Sequence, residues 1–168
     1  MKKSNVILTG MPGAGKSTLG VLLAKTLKMD FTDTDLLIQK REEALLQDII
    51  DRKGLGYFLS AEENAVKALN VRGHVIATGG SVIYSTSAIE HLKKDGILIF
   101  LHVVYEEIER RLKNIKSRGI AMGKSQSLKS LYDERIALYE KHSDIIIDCS
   151  GSGIEDAVLE IKNRLKFF

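Results

Sequence analysis

Residues 10–17 read Gly-Met-Pro-Gly-Ala-Gly-Lys-Ser and match the pattern GxxxxGK(S/T). Glycines at this spacing let consecutive backbone N–H groups curl inward around phosphate oxygens. A helix starting near Lys16 adds its positive end to the same place. On this reading Gly10, Met11, Pro12, Gly13, Ala14 and Gly15 form a phosphate cradle, and Lys16 reaches the β- and γ-phosphates. The Ser17 hydroxyl ligates Mg²⁺. Thr18 is either helix filler or a hydroxyl near the α-phosphate.

A phosphate cradle serves switches, motors and transferases alike, so the acidic residues must separate them. No guanine-reading NKxD sequence is present, which argues against a GTPase. The apolar run His74–Thr78 ends in Thr78-Gly79-Gly80 and carries no carboxylate where a Walker-B acid would stand. Acid comes earlier, as Asp33 and Asp35 in "DFTDTD". Alternation along an extended strand end would turn both side chains the same way. One could then orient Mg²⁺-bound water, and the other could accept a proton from an acceptor hydroxyl. The competing reading is that the pair caps a helix starting near Thr34-Asp35.

The elements that must position these residues alternate along the chain. Asn5–Thr9 reads as a buried strand feeding the cradle. Lys16–Leu27 has helical periodicity, with Leu19, Leu22, Leu23 and Leu27 on one face. A short strand at Phe31-Thr32 leads into "DTD". Helical spacing then runs from Asp35 to about Leu69, broken near Gly54 and Gly56. Continuous apolar strands follow at 74–78, 96–103 and 144–148, each with helical sequence after it. Strands without alternation, separated by helices, predict a five-stranded, doubly wound parallel sheet covered on both faces, a three-layer α/β fold. Residues 113–127, "KNIKSRGIAMGKSQS", lack a periodic face and read as a surface loop or a mobile lid.

Composition sets the frame. With 168 residues, 44% hydrophobic and 28% charged, the chain reads as one domain spanning 1–168. An acceptor-binding helical segment is expected at about 34–70 and a lid at about 113–127. A net charge of +3 suits an anionic substrate but is too small and scattered to predict a nucleic-acid partner. The single cysteine, Cys149, excludes an intramolecular disulfide and points to a reducing, cytoplasmic setting. "VIL" after the first residues is too short for a signal peptide or membrane span, so no membrane partner is expected. A monomer is the working expectation.

Taken together, "GMPGAGKSTLG", "DTDLLI", "ATGGS", "RRL" with the basic loop, "RIALYE" and "IIID" resemble the shikimate kinases in order and spacing across nearly the whole chain. The resemblance implies an adenylate-kinase-like fold and transfer of phosphate from ATP to a hydroxyl of shikimate, in aromatic amino acid biosynthesis. It implies that Lys16 and Ser17 bind phosphates and Mg²⁺, that Asp33 holds the metal through water, and that Asp35 grips the acceptor hydroxyls as the base. It further implies that Gly79 and Gly80 let the acceptor lie against backbone N–H groups. Arg118 becomes the lid arginine on the transferring phosphoryl group, and Arg135 the ligand of the substrate carboxylate. Arg111 packs against adenine, together with the loop after Asp148.

The resemblance breaks at four positions, the first being Leu55, where the family has an acid after the glycine that is Gly54 here. Where the family has a second carboxylate-binding arginine, partnered by an acid three residues on, this chain has Leu59 followed by Glu62. The third glycine of a Gly-Gly-Gly run is Ser81, and the lid's Arg-Pro is Arg118-Gly119, which should loosen the loop. A lost charge-assisted hydrogen bond is worth roughly 1.5–3 kcal/mol. Three readings stay open. Arg41, Arg52 or Lys53 supplies the missing charge; or the acceptor is a different small hydroxylated compound; or the chain is a nucleotide-binding regulatory module. A nucleoside-monophosphate kinase would need several clustered arginines, and residues 41–72 offer only Arg41, Arg52 and Arg72.

Overall fold

The computed structural model describes residues 3–113 and 119–167. Five strands, β1 (Asn5–Thr9), β2 (Asp30–Asp33), β3 (His74–Ala77), β4 (Gly96–His102) and β5 (Ile145–Asp148), form one sheet in the order β2-β3-β1-β4-β5. All neighbouring pairs are parallel, so each connection must cross over and carry helix. The helices are α1 (Lys16–Leu27), α2 (Thr34–Glu42), α3 (Leu46–Lys53), α4 (Leu55–Lys67), α5 (Thr86–Lys94), α6 (Tyr105–Lys113), α7 (Leu128–His142) and α8 (Ile154–Arg164).

The chain leaves β1 through α1 toward β2, and leaves β3 through α5 in the opposite direction toward β4. Right-handed crossovers therefore put α1 and α5 on opposite faces. α8 packs against α1, while α5 and α7 pack on β4. β1, β3 and β4 lie between these layers and are buried nearly throughout, as their continuous apolar runs predict. The edge strand β5 departs from that expectation. Its burial alternates, and Ile146 is 44% exposed because one side of the sheet's rim stays uncovered. Leu22 of α1 is likewise exposed; the helix buries Leu19, Gly20, Leu23 and Ala24 instead. Gly20 is there for proximity, since a Cβ would sit 2.6 Å from the Phe31 ring.

Between β2 and β3 the breaks fall differently from those expected. Glu43 ends α2 in the left-handed conformation (φ 50°), and Gly54 (φ 87°) separates α3 from α4, whereas Gly56 lies inside α4. α2, α3 and α4 share a small core of Ile38, Ile49, Phe58 and Ala65. Ala121, from the stretch before α7, completes it.

Register puts the site residues level. Leu8 pairs with Ala77, and Ala77 with Asp33. The next residues of each strand, Thr9-Gly10, Thr78-Gly79 and Thr34-Asp35, therefore emerge side by side at the C-terminal edge. That edge is where the chain diverges from β1 and β3, and there a parallel sheet opens a crevice.

Candidate active site

The donor side is built on the turn between β1 and α1. Gly13 (φ 83°) and Gly15 (φ 93°) hold left-handed conformations that suit glycine, and Gly15 is the N-cap of α1. The turn thus aims its N–H groups and the helix's positive end at one point. Met11 and Ala14 anchor it from beneath in the core. Lys16 folds back over the loop, its Nζ donating to the carbonyls of Gly10 (2.8 Å) and Met11 (2.9 Å). Behind the loop, Arg111 Nη1 donates to Gly13 O at 2.9 Å and pairs with Glu107. Glu107 in turn accepts from the Gly151 N–H at 3.1 Å. Arg111, the cradle and the loop after β5 are therefore one connected unit.

Asp33 and Asp35 arrive by a route other than strand alternation. Asp33 is the N-cap of α2, its Oδ1 accepting from the Asp35 N–H at 2.9 Å, and Asp35 sits in the first helical turn. The other oxygen of Asp33 accepts from Ser17 Oγ at 2.6 Å. Capping and facing the cradle, set out above as competitors, are both true of the same carboxylate. The Ser17 hydroxyl and the Asp33 carboxylate are hard oxygens beside the phosphate cradle. They fit Mg²⁺, which keeps several waters and draws its other ligands from substrate phosphates.

Across from the cradle lies a cavity of about 220 Å³, lined among others by Lys16, Asp35, Glu62, Gly79, Gly80 and Arg135. It is smaller than the roughly 300–1,000 Å³ common for drug-sized ligands. Arg135, a surface charge by residue type alone, is 1% exposed. Its Nη2 donates to Ala121 O at 2.6 Å, its Nε to Tyr84 Oη at 3.3 Å, and its guanidinium lies over the Tyr84 ring. Tyr139 Oη, one turn on, donates to Gly80 O at 2.6 Å and fixes the floor.

At the glycine pair the expectation needs correcting. The Gly79 N–H already donates to Thr34 Oγ1 at 3.1 Å, so it is not directed at an acceptor. Gly79 lacks a Cβ because Glu62 Oε1 occupies that space. Gly80 is approached by Arg135 Nη1, 2.8 Å from where its Cβ would be. Gly119 is also a close-approach position, because a Cβ there would lie 2.6 Å from Leu46 Cβ and 2.7 Å from Gln47 N. It packs on the start of α3.

Glu62 was noted in the sequence but not placed in the site. It is 1% exposed, with Oε2 accepting from Ser81 Oγ at 2.5 Å and Oε1 without a hydrogen-bond partner among the described residues. Burial pushes its carboxyl up to about 7, opposed by Ser81 and aided by the nearby Asp35 charge. Leu59 does not line the main cavity. It borders an adjoining space of about 150 Å³, shared with Glu62 and Ser81. Arg41 and Arg52 are exposed, and Lys53 bonds Glu42 at 2.8 Å; none of the three lines the main cavity. The reading in which one of them replaces the missing arginine finds no support here. Arg118 lies outside the described residues. Only the acid's place in the family pattern could have flagged Glu62, since helical spacing does not report what covers α4.

A parallel sheet with a P-loop on its central strand, facing a small acid- and arginine-lined cavity, defines a P-loop kinase of small molecules. The shikimate kinase family model matches residues 12–166. Shikimate kinase of Caldanaerobacter subterraneus subsp. tengcongensis is 36% identical over 160 residues, covering 94% of this chain and 93% of the relative. The structure of shikimate kinase from Acinetobacter baumannii in complex with shikimate has a TM-score of 0.89 at 28% identity, covering 97% of this chain and 93% of that one. Shikimate kinase from Aquifex aeolicus has a TM-score of 0.83 at 32% identity, with 96% of both chains covered. The chain belongs to the shikimate kinase family and is a small-molecule kinase with ATP as co-substrate.

Proposed function

We propose that the protein transfers the γ-phosphoryl group of ATP to a hydroxyl of shikimate, with Mg²⁺ held by Ser17 and, through water, by Asp33. The observation that carries this reading is the meeting of Lys16, Asp35 and Arg135 on one small cavity at the mouth of the phosphate cradle. Mg²⁺, when bound, neutralises phosphate charge. The chain's own residues do the rest. The cradle N–H groups and Lys16 orient the donor, and Arg111 with the loop after β5 receives the adenine. Arg135 takes the acceptor carboxylate, and Asp35 accepts the proton of the attacking hydroxyl. Arg118 stabilises charge on the transferring group. Little covalent chemistry falls to the protein, so positioning and charge neutralisation supply most of the rate. Residues 1–168 act as one unit, with 34–70 holding the acceptor and 113–127 serving as the lid.

We place this activity in the cytoplasm, in a monomer. Among the described residues no helix is long and apolar enough to cross a membrane, and Cys149 is a buried free thiol. The regulatory-module reading is disfavoured because Lys16, Asp35 and Arg135 keep the positions that transfer requires. The test is ADP release in a coupled assay across shikimate, quinate, sugar acids, polyols and nucleoside monophosphates. Shikimate-dependent turnover is expected. Turnover of another compound alone, or of none despite tight ATP binding, would overturn the reading.

A further inference from the structure

Arg135 is a buried cation held in one orientation by groups that are not carboxylates. It is 1% exposed, and among the described residues it enters no ion pair. A guanidinium carries its N–H donors in one rigid plane. Here Nη2 donates to Ala121 O at 2.6 Å and Nε donates to Tyr84 Oη at 3.3 Å. The same group stands over the Tyr84 ring, with Cζ 5.3 Å from the ring centroid. Nη1 lies beside Gly80, on the wall of the main cavity.

Tyr84 is not core filler. It is 38% exposed and ends the 3-10 turn Val82–Tyr84, which buries Val82 and Ile83 instead. What Tyr84 has is a second bond, because its Oη donates to Glu134 Oε1 at 2.5 Å. Glu134 is exposed on α7 and precedes Arg135 in the chain. Consecutive helix residues do not face each other, so Tyr84 joins the two from another element. The result is a relay of two hydrogen bonds, from Nε–H to Oη and from Oη–H to a carboxylate. A hydroxyl that donates to an anion is a stronger acceptor in its turn. Burial first, and then Glu134, raise the Tyr84 hydroxyl above its usual range, so it keeps the proton it donates.

We propose that Tyr84 is a positioning residue of the acceptor site, its ring and hydroxyl fixing Arg135 with Nη1 toward the cavity and linking the buried cation to Glu134 at the surface. A carboxylate paired directly with Arg135 would compete with the acceptor's carboxylate for the same N–H groups. Relayed through a tyrosine, the counter-charge offsets part of the cost of burying the cation and leaves Nη1 to the cavity.

The inference deepens the proposed function and rests on Arg135 taking the acceptor carboxylate, so one arm of the experiment needs no turnover. In ¹⁵N NMR of the full chain without substrate, the Arg135 Nε–H resonance is assigned by its loss in Arg135→Lys. It should shift in Tyr84→Phe, which keeps the ring and removes the hydroxyl, and shift by a smaller amount in Glu134→Gln. A resonance unmoved by either substitution would overturn the relay whatever the substrate proves to be. The second arm is steady-state kinetics with shikimate. Tyr84→Phe should raise its KM about tenfold, the worth of one hydrogen bond to a charged group, with kcat and the ATP dissociation constant within about twofold. Glu134→Gln should raise KM about threefold alone and much less in the Tyr84→Phe background, as members of one network do. The methyl ester of shikimate, read as substrate or as competing inhibitor, lacks the anion. It should bind the wild type and Tyr84→Phe within about twofold of each other. A fall in kcat at unchanged KM, additive effects of the two substitutions, or an equal loss for the ester would overturn the positioning role. If shikimate is not the acceptor, the NMR arm still decides the relay. If Tyr84→Phe does not fold, Glu134→Gln, a change at an exposed side chain, decides it in both arms.

Discussion

Lys16 and Asp35 line the same cavity from α1 and from α2, and on the proposed roles their substitutions should separate cleanly. Lys16→Ala is expected to abolish phosphoryl transfer, because Nζ is the cation held over the cradle by Gly10 O and Met11 O. Asp35→Asn should lower kcat by about 10²- to 10⁴-fold, the usual worth of a positioned base, with the ATP dissociation constant by calorimetry within twofold. An equal loss of ATP affinity would remove Asp35 from the acceptor side. Leu59→Arg should lower the KM for shikimate by about tenfold, which corresponds to one added charge-assisted bond. An unchanged KM would show that the acceptor carboxylate already has its second contact. Of these residues, the cradle and the aspartates were legible because their chemistry is written in type and spacing. Glu62 was not, because its importance comes from losing water, which is decided by what packs over α4.

At the scale of elements, α2, α3 and α4 share a contact with the 119–121 stretch of the basic loop. Gly119 touches α3 at Leu46 and Gln47, and Ala121 joins the core of α2, α3 and α4 while its carbonyl holds Arg135. Gly119→Ala is therefore expected to push this strip off α3. The KM for the acceptor should rise several-fold while the ATP dissociation constant stays the same, and a twofold or smaller change in KM would show that the strip is not needed for acceptor binding. The strands and α1 were readable from continuous apolar runs and a glycine-led start. The division of residues 34–67 into three helices was not, because its first break is made by Glu43 in a left-handed conformation rather than by a glycine. Arg135 shows the same limit. Its type suggests solvent, and only the packing of α7 against Tyr84 and Ala121 buries it.

For the whole molecule, the buried Glu62 makes stability depend on pH in an unusual direction. Its carboxyl titrates near 4.5 when exposed and at about 7 in the fold. Between those values the folded chain holds a proton that the unfolded chain has released, so stability falls as pH rises through this window and levels off above about pH 7. The group contributes a loss on the order of 3 kcal/mol across the window. Urea unfolding from pH 5 to 8 should show this decline in the wild type and a flatter profile in Glu62→Gln; identical slopes in the two proteins would refute it.

By itself the sequence determined a phosphate cradle, the aspartates that follow β2, a parallel α/β sheet and membership of a kinase family. These depend on local pattern: glycines at set intervals, apolar periodicity, and motif order along the chain. The tertiary structure alone decided that Asp33 both caps α2 and faces Ser17, that the Gly79 N–H is spent on Thr34, and that Glu62 is buried in the space beside Gly79. Each of these joins residues far apart in the chain or fixes which atoms meet water. Burial and the pairing of charges are properties of the packed whole, and linear spacing does not carry them.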